Sequence, residues 1–255
     1  MAAETHLFLC LKDNYGVLLH DTETGHTAAI DAPDAAPVEA ALKQKGWRLT
    51  DILVTHYHAD HTQGIPALKE HHGCRVVGPR AEAKRIPFID ETVVEGDTVM
   101  VGDLMVRVIE TPGHTDGHIS YWVRSAKLAF VGDTLFSIGC GRILDGNQEK
   151  MWNSLLKLRE LPDDALVFCG HEYTQANVRF AWTIEKGNKA LAQRDLEVDR
   201  QIAARHPTIP MVMGVEKAAN PFLRADVPSV AKAVGLPDAP AWQVFAELRA
   251  RKDKF

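Results

Sequence analysis

Residues 55–61 read Thr-His-Tyr-His-Ala-Asp-His, which places three histidines and one aspartate in six positions directly after a predicted buried strand. His56 and His58 are two residues apart on an extended segment, so their side chains point the same way and can bind one ion together. Asp60 and His61 lie past the end of the strand, where they can turn toward a second ion. The stretch therefore predicts a metal site at the carboxyl end of a strand.

The donors in this stretch are imidazole and carboxylate groups without a thiolate. Such a set suits zinc, iron or manganese in a working site better than a structural zinc, which usually recruits cysteine. Three further donors each follow a predicted strand, namely His114, Asp133 and His171. Because active sites of α/β proteins lie beyond the carboxyl ends of strands, these strand ends would build one site if they converge. Taken singly, each of the three is more typical of an ordinary turn than of a metal ligand.

Composition narrows the class of protein. The chain has 255 residues, of which 45% are hydrophobic and 25% charged, as in an ordinary folded domain or pair of domains. The net charge of −5 lacks the basic excess that nucleic-acid binding needs, and no apolar run is long enough to cross a membrane. Four scattered cysteines without a CxxC pair, and no secretory leader, predict a cytoplasmic protein.

The order of predicted elements indicates an α/β region followed by a helical one. Strands are predicted at 6–11, 15–20, 27–30, 51–54, 75–77 and 165–169, with two antiparallel pairs between 98 and 131. Helices are predicted at 38–45, 61–72 and 148–161, and two more, broken near Gly187, within 173–206. The charge changes as well, from a net −8 up to His171 to a net +3 after it. We therefore predict a catalytic domain at 1–171 and a helical substrate-binding domain at 172–255.

Further motifs make a family resemblance specific. In chain order, THYHADH at 55–61, TPGHTDGH at 111–118, GDT at 132–134 and CGHEYT at 169–174 resemble the metallo-β-lactamase superfamily. The resemblance implies an α/β fold, a four-layered αββα sandwich with a C-terminal α-helical domain. Within the superfamily, nearly the whole chain resembles the hydroxyacylglutathione hydrolase, or glyoxalase II, family. The residues that carry this closer resemblance are Asn14-Tyr15, Gly139-Cys140-Gly141-Arg142, Asn220-Pro221-Phe222-Leu223-Arg224, Arg249 and Lys252-Asp253.

The resemblance implies a site for two divalent metal ions, zinc first, with iron or manganese as alternatives. One ion would be held by His56, His58 and His114, the other by Asp60, His61 and His171, with Asp133 bridging both. Asp133, Asp60 and His58 would be the catalytic residues. Contacts to the substrate would come from Arg142, Tyr173, Arg249 and Lys252. From the residues alone, Arg249 and Lys252 are more typical of a solvated helix face than of a substrate contact.

The activity implied is that of a thiolester hydrolase. It would cleave S-D-lactoylglutathione and related S-2-hydroxyacylglutathione thioesters to glutathione and D-lactate, in methylglyoxal detoxification. We expect no nucleic-acid or membrane partner, and the oligomeric state is left open, with a monomer favoured. The alternatives are a persulfide dioxygenase and another thioester or lactone hydrolase of this fold. One departure from the family pattern bears on the choice, because Leu144 stands where the family usually has an aromatic residue.

Overall fold

The structure is a computed structural model that describes residues 3–255. The chain divides into two compact units. The first runs to Glu110 and includes Gly117–Gly132, and the second consists of Thr111–Asp116 with Asp133–Phe255. The class is α/β, as predicted, with mixed sheets and a helical C-terminal region.

The first unit is built around a six-stranded mixed sheet in sequential strand order. Its strands are β1 (Ala3–Cys10), β2 (Asn14–Asp21), β3 (Thr27–Ile30), β4 (Asp51–Leu53), β5 (Arg75–Pro79) and β6 (Glu91–Val93). The first three form the predicted antiparallel meander. From β3 onward the pairing is parallel, because helices connect the strands. The carboxyl ends of β3, β4 and β5 therefore meet at one edge.

Three helices connect these strands, α1 (Ala35–Lys45), α2 (Ala59–Thr62) and α3 (Ile65–His72). Val38 and Leu42 of α1 and Leu68 of α3 share one core with Leu18 and Ile52 of the sheet. The next residue along each of those strands is buried too, so the sheet is covered on both faces. This is why the central strands β3 and β4 are buried at every residue.

A second set of strands in the first unit is antiparallel, with neighbours in the order of the chain. They are β7 (Thr98–Val101), β8 (Leu104–Glu110), β9 (Ile119–Val123) and β10 (Leu128–Phe130). These are the two predicted pairs, with a tight turn at Gly102-Asp103 in the first of them. The fully buried Tyr121 of β9 donates a hydrogen bond to the carbonyl of Val54, directly after β4 (2.8 Å).

The second unit is mainly helical. Its short strands are β11 (Leu135–Phe136), β12 (Gly139–Cys140), β13 (Leu166–Phe168) and β14 (Met211–Val212). Its helices are α4 (Gln148–Arg159), α5 (Thr174–Ile184), α6 (Lys189–Ala203), α7 (Met213–Ala219), α8 (Pro228–Ala233) and α9 (Ala241–Asp253). Phe222 lies between Phe180 and Phe245 in the core of this region, with ring centroids 5.7 and 6.1 Å apart. No helix of residues 3–255 is long and apolar enough to span a membrane.

Two sequence predictions about elements were wrong in detail. The single helix predicted at 61–72 is divided into α2 and α3 at Gly64, where a Cβ atom would lie 2.8 Å from the backbone nitrogen of Ala35. The helical region after His171 also contains a strand, β14, which pairs with β13. Strands of two or three residues, such as β6 and β14, are too short to show the alternation that predicts a strand.

Candidate metal centre

The three histidines of residues 56–61 lie together where β4 ends. His56 is fully buried, and its Nε2 atom lies 3.0 Å from Nδ1 of His58. The rings of His56 and His61 are 4.1 Å apart. Ligand atoms of one tetrahedral zinc ion are about 3.3 Å apart, so His56 and His58 are spaced as two ligands of the same ion.

Asp31, which sequence reasoning missed, orients these histidines. It directly follows β3, is buried, and has a left-handed backbone with φ of 57°. One of its carboxylate oxygens, Oδ2, lies 2.7 Å from Nδ1 of His61 and accepts from the Thr55 hydroxyl at 2.8 Å. The other accepts from the Thr55 amide at 2.7 Å. Because an ionised carboxylate only accepts, His61 carries its proton on Nδ1 and presents Nε2 as a metal ligand.

Thr55 extends this orientation to the neighbouring histidine. Its hydroxyl donates to Asp31 and lies 3.0 Å from Nδ1 of His56. The hydroxyl proton is committed to Asp31, so the hydroxyl accepts from the Nδ1–H of His56. His56 therefore also presents Nε2, and one buried carboxylate sets the tautomers of both histidines.

Asp60 lies in the first turn of α2, and its side chain is 44% exposed. Asn14 donates from Nδ2 to the Asp60 carbonyl (3.0 Å) and carboxylate (3.3 Å). The carboxylate oxygen Oδ2 of Asp60 is 3.9 Å from Nε2 of His61. Asp60 and His61 are thus close enough to share an ion after a small movement of the more exposed side chain.

A second buried carboxylate, Glu82, fixes the backbone around the motif. It accepts from the Tyr57 amide (2.8 Å) and from the Gly117 amide (3.0 Å). The Arg85 guanidinium lies 3.1 Å from the centroid of the Tyr57 ring. Glu82 therefore ties the loop after β4 to the loop before β9, a role for which the sequence gives no motif.

His118 packs on the histidines of residues 56–61. Its ring stacks on His56 at 4.9 Å. Gly132 has a positive φ of 45°, and a Cβ atom there would lie 2.6 Å from both His118 Nε2 and Thr55 Oγ1. Glycine is required at this position because of both the backbone angle and the close packing.

The second unit brings together the other three expected ligands. Asp133 is buried, and its Oδ2 atom lies 3.4 Å from Nε2 of His114 and 3.3 Å from Nε2 of His171. One carboxylate oxygen thus lies between two imidazole nitrogens, each at a distance suited to ligands of a shared ion. Asp133, His114 and His171 are therefore placed as residues that would hold divalent metal ions.

The backbone of Arg142 orients His114. The carbonyl oxygen of Arg142 is 2.7 Å from Nδ1 of His114 and, as an acceptor, fixes the proton there. His114 then presents Nε2 toward Asp133. Glycine is required at position 141, because a Cβ atom there would lie 1.9 Å from the Asp133 carbonyl oxygen.

A buried polar network, also missed by sequence reasoning, supports the turn between β11 and β12. Glu216 accepts from the Ser137 hydroxyl at 2.9 Å, the Ile138 amide at 2.8 Å and Nδ2 of Asn220 at 3.0 Å. Burial raises the pKa of Glu216, although these hydrogen bonds oppose the rise. Asn220 also donates to the Gly139 carbonyl (3.0 Å). Glu216 and Asn220 therefore hold the segment that leads to Arg142.

Arg249 is buried in this region. It donates to the Cys140 carbonyl at 2.9 Å and pairs with Asp253 at 2.9 Å. The thiol of Cys140 is also buried, which raises its pKa to about 11 and makes a nucleophilic role unfavourable at neutral pH.

Lys252, one helical turn from Arg249, is half-buried and donates to the Ala176 carbonyl at 3.1 Å. Partial burial, together with nearby Arg249 and Arg179, lowers the pKa of Lys252 to about 8.

Tyr173 and Arg142 are the more exposed of the predicted substrate contacts. The Tyr173 ring is 37% exposed and stacks parallel to His171, with centroids 5.0 Å apart. Its edge meets Phe136 at 5.3 Å. Arg142 is exposed at the side chain while its carbonyl holds His114. Tyr173 and Arg142 thus each adjoin a histidine that contacts Asp133.

Comparison with known proteins agrees with this fold and donor set. Residues 16–171 match the model of the metallo-β-lactamase superfamily, so the chain belongs to that superfamily of α/β proteins. A crystal structure of ETHE1 from Myxococcus xanthus aligns with a TM-score of 0.66 at 28% identity, covering 99% of this chain and 98% of that one.

A more specific match covers the rest of the chain. Residues 172–255 match the model of the hydroxyacylglutathione hydrolase C-terminus. The chain is 58% identical over 253 residues to the hydroxyacylglutathione hydrolase of Rhodopseudomonas palustris strain BisB5, covering 99% of both chains. It is 57% identical over 254 residues to that of strain BisA53, covering 100% of both. The chain belongs to the hydroxyacylglutathione hydrolase family.

Proposed function

We propose that the protein is a two-metal hydrolase of S-2-hydroxyacylglutathione thioesters, S-D-lactoylglutathione among them. The observation that carries this proposal is the position of the Asp133 Oδ2 atom, 3.4 and 3.3 Å from Nε2 of His114 and His171, in a chain of this family. Full-length relatives that are 53–58% identical to this chain are named hydroxyacylglutathione hydrolase. Methylglyoxal detoxification is the process in which such an activity would serve.

The donor set fits a pair of divalent ions. In the proposal, His56, His58 and His114 hold one ion, and Asp60, His61 and His171 hold the other, with Asp133 shared. Support comes from within each unit. In the first, Asp31 and Thr55 fix the protons of His61 and His56 on Nδ1, which leaves Nε2 available as a ligand. In the second, the Arg142 carbonyl does the same for His114. Zinc is the ion we propose first, because nitrogen and oxygen donors without thiolate suit a catalytic zinc site.

Paired ions would lower the pKa of a water molecule and polarise the thioester carbonyl. The chain's own groups supply position and charge. Asp133 and Asp60 offset part of the positive charge, so that the site keeps a net attraction for the developing oxyanion. The leaving thiol needs no strong acid, since a free thiol has a pKa of about 8.5 and departs readily as a thiolate.

For the glutathione carrier we propose Arg142, Tyr173, Arg249 and Lys252 as the binding residues. Glutathione carries two carboxylates, which Arg and Lys side chains bind. The exposed Arg142 and half-buried Lys252 would contact it directly. Arg249, bonded to Cys140 and Asp253, would contribute mainly by holding the 139–142 segment.

Leu144, 55% exposed in the neighbouring loop, lacks the aromatic ring usual in the family and would alter the acyl or thiol preference.

We also propose a reducing compartment, the cytoplasm, since all four cysteines are unpaired buried thiols. A monomeric state remains a prediction that gel filtration would check. The boundary between residues 171 and 172 remains our proposal for the start of the substrate-binding domain. It coincides with the junction between the two family-model matches.

Replacement of Asp133 tests the proposed function. Asp133→Ala should lose bound metal and thioester hydrolysis together, because it removes the oxygen shared by two ligand sets. Asp116→Ala is a matched control, since Asp116 lies on the surface and pairs with Lys150. Unchanged turnover with normal metal content in Asp133→Ala would overturn the two-metal proposal.

A further inference from the structure

A second group of potential metal ligands lies in the first unit, apart from the histidines of residues 55–61. Glu39 is on α1, and His71 and His72 end α3. Nδ1 of His71 is 2.7 Å, and Nε2 of His72 is 2.9 Å, from the same oxygen of Glu39. The two rings are 4.5 Å apart. All three residues can present one donor atom within 4.8 Å of one another.

The chain geometry explains how adjacent histidines reach one carboxylate. Side chains at neighbouring positions of a regular helix point about 100° apart and do not face each other. At the last turn of α3, however, the helix ends at Gly73, which has a left-handed φ of 64°. The two imidazoles there both contact the same oxygen of Glu39, which lies on α1.

The side chains of Glu39, His71 and His72 differ in how far they are exposed to solvent. The side chain of His71 is 70% exposed, that of Glu39 is 33% exposed and that of His72 is 13% exposed. Partial burial alone would raise the pKa of Glu39, but the hydrogen bonds from His71 and His72 lower it below its usual value. The Glu39 carboxylate is therefore charged near neutral pH, and the His71 side chain is exposed to solvent.

We propose that Glu39, His71 and His72 form a binding site for a late first-row divalent ion such as zinc, separate from the proposed catalytic centre. Two imidazoles and one carboxylate are a common zinc ligand set, and water can complete the tetrahedron on the exposed side of His71. Ligand atoms around zinc are about 3.3 Å apart, so the present nitrogen-to-oxygen distances would have to open by about half an ångström.

An ion at this site would join α1 to α3. Both helices pack on the same face of the first sheet, through Leu42 and Leu68 among others. Asp31 precedes α1, and His61 precedes α3. The ion would therefore link the middle of α1 to the end of α3. It would stabilise the folded chain by binding it in preference to the unfolded one.

Equilibrium dialysis of the metal-loaded protein against zinc tests this site. The wild-type protein should take up one zinc ion per chain beyond those already bound, and the His71→Ala/His72→Ala protein should not. Glu39→Gln, which keeps the size of the side chain, should weaken this extra binding by more than about tenfold, a loss seen even when a residue that merely supports a ligand is removed. Thioester hydrolysis should be unaffected in all of them.

A matched control removes two exposed histidines elsewhere, His26 and His206. The His26→Ala/His206→Ala protein should bind the extra ion as the wild type does. Crystals soaked in zinc should show anomalous density between Glu39 and the two histidines. The proposal is overturned if the wild type binds no extra ion, if Glu39→Gln binds it equally well, or if both double variants lose it to the same extent.

Discussion

The substitution Asp31→Asn is the most informative single change, because it alters a charge and not a shape. Asparagine tolerates the left-handed backbone at φ 57° and has nearly the same volume as aspartate. Its amide nitrogen, however, donates where the carboxylate accepts. At least one of the hydrogen bonds from Thr55 and His61 must then fail or reverse.

The expected magnitude follows from that geometry. If His61 accepts from the new amide, its proton moves to Nε2 and blocks the atom needed for a metal ion. Loss of such a supporting residue typically weakens metal binding about 10–100-fold, or about 1.4–2.7 kcal/mol. We expect hydrolysis at limiting metal to fall by the same factor, while saturating metal restores much of it.

The assay is metal retention during dialysis against graded concentrations of chelator, with hydrolysis measured at each step. Asp34→Asn is the matched control, since Asp34 caps α1 by accepting from the Ala36 amide and asparagine caps equally well. It should leave metal affinity unchanged. A folded Asp31→Asn protein with metal affinity within twofold of wild type would refute the role given to Asp31.

Three other predictions concern packing, buried charge and pH. Gly132→Ala should lower the free energy of unfolding in urea by about 1–3 kcal/mol more than Gly46→Ala does. Both glycines have a positive φ, but of these two positions a Cβ atom meets other side chains at Gly132 and none at Gly46. Glu216→Gln should cost about 1–3 kcal/mol, since its amide would face donors in a buried network. For glutathione thioesters, kcat/KM should fall as pH rises through about 8, where Lys252 loses its proton and charge. Lys252→Arg should abolish that fall; a wild-type profile that stays flat up to pH 9 would contradict it.

The clustering of these side chains could be predicted from sequence because the proposed ligands follow strands. His56 and His58 sit two apart after β4, and parallel strands bring their carboxyl ends to one edge. Asp133 likewise directly follows the β10 region, and the structure places it against His114 and His171. The spacing of these residues and their positions after strands are therefore enough to predict that they cluster.

The supporting residues could not be predicted, because their partners are distant in sequence. Asp31 is 24 residues from Thr55, and Glu82 is 35 residues from Gly117. An aspartate after a strand, or a glutamate in a short helical turn, is typical of many surfaces. Only the fold shows that both carboxylates are buried and accept backbone amides.

The substrate-contact predictions illustrate a different limit. The spacing of Arg249 and Lys252 on α9 places them one turn apart, but it does not show which is buried. The structure commits Arg249 to Cys140 and Asp253 and leaves Lys252 half-buried beside Ala176. Which of the two cations can bind a ligand depends on tertiary packing, which helix periodicity does not reveal.

The central claim is that this chain hydrolyses glutathione thioesters with two metal ions. The most direct measurement combines metal content per chain with thiol release from an S-2-hydroxyacylglutathione, while oxygen consumption is followed with glutathione persulfide as the alternative substrate. We predict about two catalytic ions per chain, thiol released in step with thioester loss, and no oxygen uptake. Oxygen-dependent turnover of the persulfide by a protein with a single iron, without thioester hydrolysis, would contradict the account.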